Sequence, residues 1–208
     1  MDYIQKLKKG FQEFKDCYYG GDSKKSAEYA KLITEGQQPK TLMIACSDSR
    51  VSPEITFNAK PGDIFMVRNI ANLVPPYDND GHKHGTSAAI EFAVNYLGVK
   101  NIIVKGHSNC GGISALMKDE NTGDFISPWV SVSRRAKEEV LKNPEYLTEE
   151  DRRTACEKVS IIVSLENLLT FPFVKKKYAG GEIKILGWYF DMKKGSLLEY
   201  NDRNGKFE

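Results

Sequence analysis

The chain has 208 residues, of which 30 are basic and 28 acidic, for a formal net charge of +2. So even a balance excludes nucleic acid or a membrane surface as the main partner and points to a small molecule. The length suits one large domain with a sizeable core, since single cores run to about 250 residues before splitting.

Cysteines number four, too few for a disulfide scaffold in a chain this long, so a reducing compartment is expected. The opening Met1-Asp2-Tyr3-Ile4-Gln5-Lys6-Leu7-Lys8-Lys9 lacks the apolar run of a signal peptide, and no stretch approaches the roughly 20 apolar residues of a spanning helix. The reading is cytoplasmic, or a mature chain whose targeting segment is absent.

Ile4, Leu7, Phe11, Phe14 and Tyr18 recur at helical spacing until Gly20-Gly21 interrupts them, and a second helix is predicted from Ser23 to Ile33. Residues 1–36 thus form a helical arm on a single catalytic domain spanning 1–208. Periodicity alone leaves open whether the arm packs on its own core or clasps a partner subunit.

Beyond Pro39, the apolar run Leu42 to Ala45 predicts a buried strand that delivers Cys46 at its carboxyl end. A second strand, Ile64 to Val67, follows the Pro61-Gly62-Asp63 turn. Thr86 to Leu97 carries a helical apolar stripe stopped by Gly98, and a third strand, Asn101 to Val104, presents His107 and Cys110. Strand, helix, strand implies a parallel pair with a crossover, and a site at the strand carboxyl ends.

Helices are then expected from Ile113 to Lys118 and from the Ser127-Pro128 cap to Asn143-Pro144. Thr148 with Asp151 resembles a capping box that opens a long helix, ended by Phe171-Pro172. The tail reads as a hairpin, Glu182 to Asp191 and Ser196 to Tyr200, around Lys193-Lys194-Gly195. The fold class is α/β: a mainly parallel central sheet flanked by helices, an antiparallel edge from the C-terminal hairpin, and an N-terminal helical arm.

Cys46, His107 and Cys110 form a soft ligand set that suits one Zn²⁺ per chain, and three protein ligands leave a position free for water, which is a catalytic pattern. Such a metal acidifies its water from about 15.7 toward about 7, yielding a hydroxide nucleophile. Asp48 and Arg50 follow in the turn after the first ligand. Paired, they keep the carboxylate ionised and oriented toward the metal-bound water, whereas loss of Arg50 would free Asp48 to block the fourth position.

Other residues have plainer readings. His82 and His84 read as residues of a solvated loop, with a proton-shuttle role as the alternative that imidazole chemistry offers. Cys17 and Cys156 read as core residues; Lys175-Lys176-Lys177 reads as a solvated helix end, and Trp129 and Trp188 read as packing residues.

The runs Cys46-Ser47-Asp48-Ser49-Arg50 and His107-Ser108-Asn109-Cys110-Gly111 resemble the two zinc motifs of the β-class carbonic anhydrases. The likeness extends over about Gln37 to Tyr200 and includes Pro61-Gly62-Asp63, Val67 to Asn72, Gly85-Thr86 and Ser164 to Leu169. The chain looks most like the plant-type branch. What the resemblance implies is reversible hydration of CO₂ to bicarbonate and a proton by zinc-bound hydroxide. Gln37, Phe65, Ile70 and Gly111 would contact substrate, and Asp48-Arg50 would orient the hydroxide. It further implies a homodimer or higher homo-oligomer whose pockets are lined from two subunits. Two positions depart from the pattern: Phe92 stands where plant-type relatives often carry Tyr, and Lys105 stands where an aliphatic residue usually ends the strand. Alternatives on the same scaffold are hydrolysis of COS or CS₂, or a non-catalytic, bicarbonate-sensing zinc protein closed by Asp48.

Overall fold

The computed structural model describes residues 2–21, 23–118 and 121–208. The chain forms two compact units, 1–38 and 39–208.

The first unit is a pair of helices, α1 (Tyr3–Tyr19) and α2 (Lys24–Glu35). Gly21 sits at φ +81° after α1, a left-handed conformation that glycine adopts without steric cost. Ser23 caps α2, its side chain accepting from the Ser26 amide. The rings of Phe14, Tyr18 and Tyr29 pack together, with centroids 4.7 to 5.5 Å apart.

The second unit runs β1 (Thr41–Cys46), α3 (Pro53–Thr56), β2 (Ile64–Asn69), α4 (Gly85–Glu91), β3 (Asn101–His107), α5 (Gly111–Met117), α6 (Ile126–Val130), α7 (Arg134–Lys142), α8 (Glu149–Leu168), α9 (Pro172–Ala179), β4 (Lys184–Asp191), β5 (Ser196–Asn201) and β6 (Lys206–Phe207). The sheet order is β2-β1-β3-β4-β5-β6. β2, β1, β3 and β4 are parallel, and β5 and β6 add the antiparallel edge. Mixed order follows from the connections: helical crossovers join the parallel strands, and the tight turn at Gly195 can join only antiparallel ones.

Both sheet faces are apolar, as near-continuous hydrophobic strands require. Leu42, Ile44, Ile102, Val104 and Tyr189 face Ile90 and Val94 on one side and Ile161 and Leu168 of α8. Met43, Ala45 and Ile103 point the other way, with Phe57 and Trp188 packed against them. Each fully buried aliphatic side chain here contributes about 1.5–3 kcal/mol. Among the described residues, no helix is long and apolar enough to cross a membrane.

Two helices differ from the sequence expectation. The helix expected from Ser127 to Asn143 is broken into α6 and α7 by a tight turn at Ser131–Ser133. There the Ser131 hydroxyl donates to the Pro128 carbonyl at 2.7 Å, so a side chain competes with the helical ladder. Ser127 does not cap the helix; its hydroxyl accepts from the Thr122 amide instead. The helix after Thr86 widens at Phe92–Tyr96 into a π-helical turn, and Lys177, on a helix end that looked merely solvated, donates to the Val94 carbonyl within it at 2.6 Å. The capping box of α8 forms as expected, with Thr148 and Asp151 bonded reciprocally.

Candidate metal centre

The register of the sheet brings the metal motifs together. Ala45 of β1 lies opposite Lys105 of β3, so Cys46 and His107 emerge side by side at the carboxyl ends of adjacent parallel strands. Cys110 follows as the residue that caps α5. All three are buried, and one ligand atom from each lies within 4.8 Å of the others.

The group fits zinc on its own geometry. The Cys46 and Cys110 sulfurs are 3.9 Å apart; tetrahedral bonds of about 2.3 Å to a common Zn²⁺ require about 3.8 Å. His107 Nδ1 donates to the Ser108 carbonyl at 2.9 Å, which fixes the tautomer and leaves the Nε2 lone pair facing the sulfurs. That Nε2 is buried and has no hydrogen-bond partner among the described residues, a costly state unless a cation takes the lone pair. The two thiols also compete for one proton. Their mutual hydrogen bond draws Cys46 down to about 4 and holds Cys110 far above the ordinary thiol range, a conflict that a dication between them removes.

Asp48 opens the short turn Ser49–Val51 and accepts from the Arg50 amide at 3.0 Å. The Arg50 guanidinium grips it at both oxygens, Nε to Oδ1 at 2.9 Å and Nη2 to Oδ2 at 2.6 Å. This bidentate pair holds the carboxyl well below the usual carboxylate range, so Asp48 is ionised across physiological pH.

Residues that the sequence reading passed over hold this arrangement. Arg68 at the end of β2 donates to the Cys46 carbonyl at 3.0 Å and to the Asp48 carbonyl at 2.7 Å. Glu157 of α8 is 2% exposed; its carboxylate accepts from the Cys110 amide at 3.0 Å and from the Tyr189 hydroxyl at 2.8 Å. Burial pushes the Glu157 carboxyl up. A signal for it was present: Glu157 is the lone acid on a helix face built from Ala155, Cys156, Ser160, Ile161 and Ser164.

Of the expected substrate residues in the second unit, Phe65 stands apart from Ile70 and Gly111. Ile70 follows β2, is 43% exposed, and touches the start of α5, where a Cβ on Gly112 would come 2.7 Å from Ile70 Cγ2. The Trp129 indole donates to the Ile70 carbonyl at 2.8 Å, a tie that its packing assignment did not include. Gly111 has open space where a Cβ would stand. Phe65 pairs with Leu42, four residues before Cys46 on β1, which at the strand rise is about 13 Å along the sheet. Its ring lies beside Phe92, which stacks on Tyr96. Gln37 is exposed within the first unit.

Other candidates stay outside the converging group. His84 pairs with Asp80 at 2.7 Å on the loop before α4. Cys156 is fully buried, and burial pushes its thiol up to about 11. Lys105 turns away from the sulfurs, its amine donating to the Val51 carbonyl at 3.0 Å and to Thr56 Oγ1 at 3.2 Å, near the rings of Phe57 and Phe190.

Comparison with known proteins places this geometry in context. The carbonic anhydrase family model matches residues 41–197. The chain is 45% identical over 193 residues to β carbonic anhydrase 5, chloroplastic, of Arabidopsis thaliana, covering 91% of this chain and 62% of that relative. It is 40% identical over 202 residues to β carbonic anhydrase 3 of the same plant, covering 95% and 76%. Among solved structures, the β-carbonic anhydrase CcaA superposes with a TM-score of 0.89 at 30% identity, over 99% of this chain and 91% of that one. A structure from a study of two tetrameric β-carbonic anhydrases of Sordaria macrospora superposes with a TM-score of 0.77 at 27% identity, over 95% and 94%.

Proposed function

Because this chain belongs to the β carbonic anhydrase family, we propose that it catalyses the reversible hydration of CO₂ to bicarbonate and a proton. The observation that carries the reading is the convergence of two buried sulfurs and one buried imidazole nitrogen that has no hydrogen-bond partner among the described residues, with the Asp48 carboxylate 4.0 Å from that nitrogen.

Cys46, His107 and Cys110 would hold zinc, which when bound lowers the pKa of a coordinated water from about 15.7 to about 7. The protein's own part is orientation. Asp48, kept ionised by Arg50, accepts a hydrogen bond from the attacking water or hydroxide and so fixes which lone pair faces CO₂. Both Asp48 oxygens are engaged by Arg50, which favours an open site over a closed, sensing one.

CO₂ binding falls to Gln37, Phe65, Ile70 and Gly111. Phe65 is too far along β2 to serve the metal group of its own chain, so a second copy supplies it, and the functional unit is a homodimer or a larger assembly built from dimers. An exposed aromatic pair, Phe92 and Tyr96, and the tetrameric structural relative support that reading. Free thiols at the site suit a reducing compartment, and we place the chain in the cytoplasm.

The test is stopped-flow CO₂ hydration by protein carrying one zinc per chain, scanned from below neutral to alkaline pH. A fast rate that rises with pH is expected. No rate at any pH, with zinc content confirmed, would overturn the reading.

A further inference from the structure

Asn109 stands between the two residues that ligate from the second motif, at φ +56°, in the left-handed region that asparagine tolerates better than most residues. Both of its oxygens are engaged, by two different arginines. Its backbone carbonyl accepts from Arg50 Nη2 at 3.2 Å, the same nitrogen that holds Asp48 Oδ2. Its side-chain Oδ1 accepts from Arg153 Nη2 of α8 at 3.0 Å.

From this chain of contacts we infer that Arg153 is a positioning residue for the reaction, acting on Asp48 through Asn109 and Arg50. Arg50 is more than half exposed, so the exposed part of its long side chain gains direction from any further fixed contact that its guanidinium makes. Arg50 stays in register with the metal group because its guanidinium also reaches a carbonyl whose direction is set by the left-handed turn at Asn109. That turn is in turn pinned to α8, which is itself anchored to the metal loop one helical turn later by Glu157 on the Cys110 amide. Arg153 Nε is buried without a hydrogen-bond partner among the described residues, so the contact with Asn109 is the hydrogen bond that orients this guanidinium. Release of Arg153 lets the Asn109 carbonyl turn, loosens Arg50, and allows the Asp48 carboxylate to approach the group that it now faces across 4.0 Å.

This inference rests on the functional reading above for its rate effect, but not for its second readout. Arg153→Ala is expected to keep one zinc per chain, to lower kcat for CO₂ hydration about tenfold, within the up to 10²-fold range of remote misplacements, and to weaken azide binding to the cobalt-substituted protein about tenfold, because Asp48 competes for the same position. Asn109→Gly retains the left-handed backbone and removes the acceptor, so it should match Arg153→Ala, and the double variant should add nothing to either. In an Arg50→Ala background, loss of Arg153 should change azide affinity less than about twofold. The proposal is overturned if Arg153→Ala and Asn109→Gly leave azide affinity unchanged, or if the Arg153 effect persists undiminished without Arg50. A wild-type protein inactive on CO₂ would sink the functional reading alone, because the azide cycle still decides the role of Arg153.

Discussion

Asp48 Oδ2 lies 4.0 Å from Nε2 of His107 while Arg50 grips both oxygens of the same carboxylate. A ligand atom and an ionised acceptor thus share one end of the sheet without touching. Asp48→Ala should therefore keep its zinc and lose about 10²-fold in kcat, the lower range of a positioned acid–base group. Cys110→Ala should lose the metal itself. Zinc content and stopped-flow rates measured on the same samples separate the two outcomes; an Asp48→Ala enzyme with undiminished rate would remove the assigned role.

Gly112 is a packing constraint one residue beyond the expected substrate contact. A Cβ there would sit 2.7 Å from Ile70 Cγ2 and 2.9 Å from Ala71 Cβ, neither of which is the free end of a flexible side chain. Ala71 is itself at φ +63°, so its backbone has little freedom to yield. Gly112→Ala should cost about 1–3 kcal/mol and raise KM for CO₂ more than it lowers kcat. Gly111→Ala, with open space at its Cβ, should cost less. Equal unfolding midpoints for the two variants would count against this account.

Glu157 spends its charge on two donors, the Cys110 amide and the Tyr189 hydroxyl. Tyr189→Phe leaves a buried carboxylate one donor short and should destabilise the zinc-loaded protein by about 1.5–3 kcal/mol, the range for hydrogen bonds to charged groups. Glu157→Leu should cost more, because both donors lose their acceptor. Urea denaturation reads both; a Tyr189→Phe change within about 0.5 kcal/mol would show that the carboxylate finds another partner.

Lys105 is 2% exposed, and burial holds its amine down to about 8. The unfolded chain, with an ordinary lysine pKa of about 10.4, binds more protons than the folded one between these values. Stability therefore rises with pH across that window: the burial penalty is full below pH 8 and gone above about 10.4. Relative to Lys105→Met, the native chain should gain up to about 3 kcal/mol between pH 8 and 10.4. Denaturation curves of both proteins at the two ends test it, and parallel pH profiles would refute it.

What the sequence determined by itself was whatever depends on neighbours along the chain. Apolar runs gave β1 and β3, Thr148 and Asp151 gave the start of α8, and Gly195 gave the hairpin turn, because strand burial, capping and tight turns are local matters. The soft donor set of Cys46, His107 and Cys110 named its metal by ligand chemistry alone. Local reading failed where a backbone group's partner lies far away in sequence. The π-helical turn answered by Lys177 and Lys105 folded back onto Val51 both depend on such partners. The tertiary structure alone decided that Arg68, Asn109 and Arg153 frame the metal group. It also separated Phe65 from the metal group of its own chain by the length of a strand. Hydrogen bonds between residues tens of positions apart are set by strand register and helix rotation, and neither is encoded in a motif's spacing.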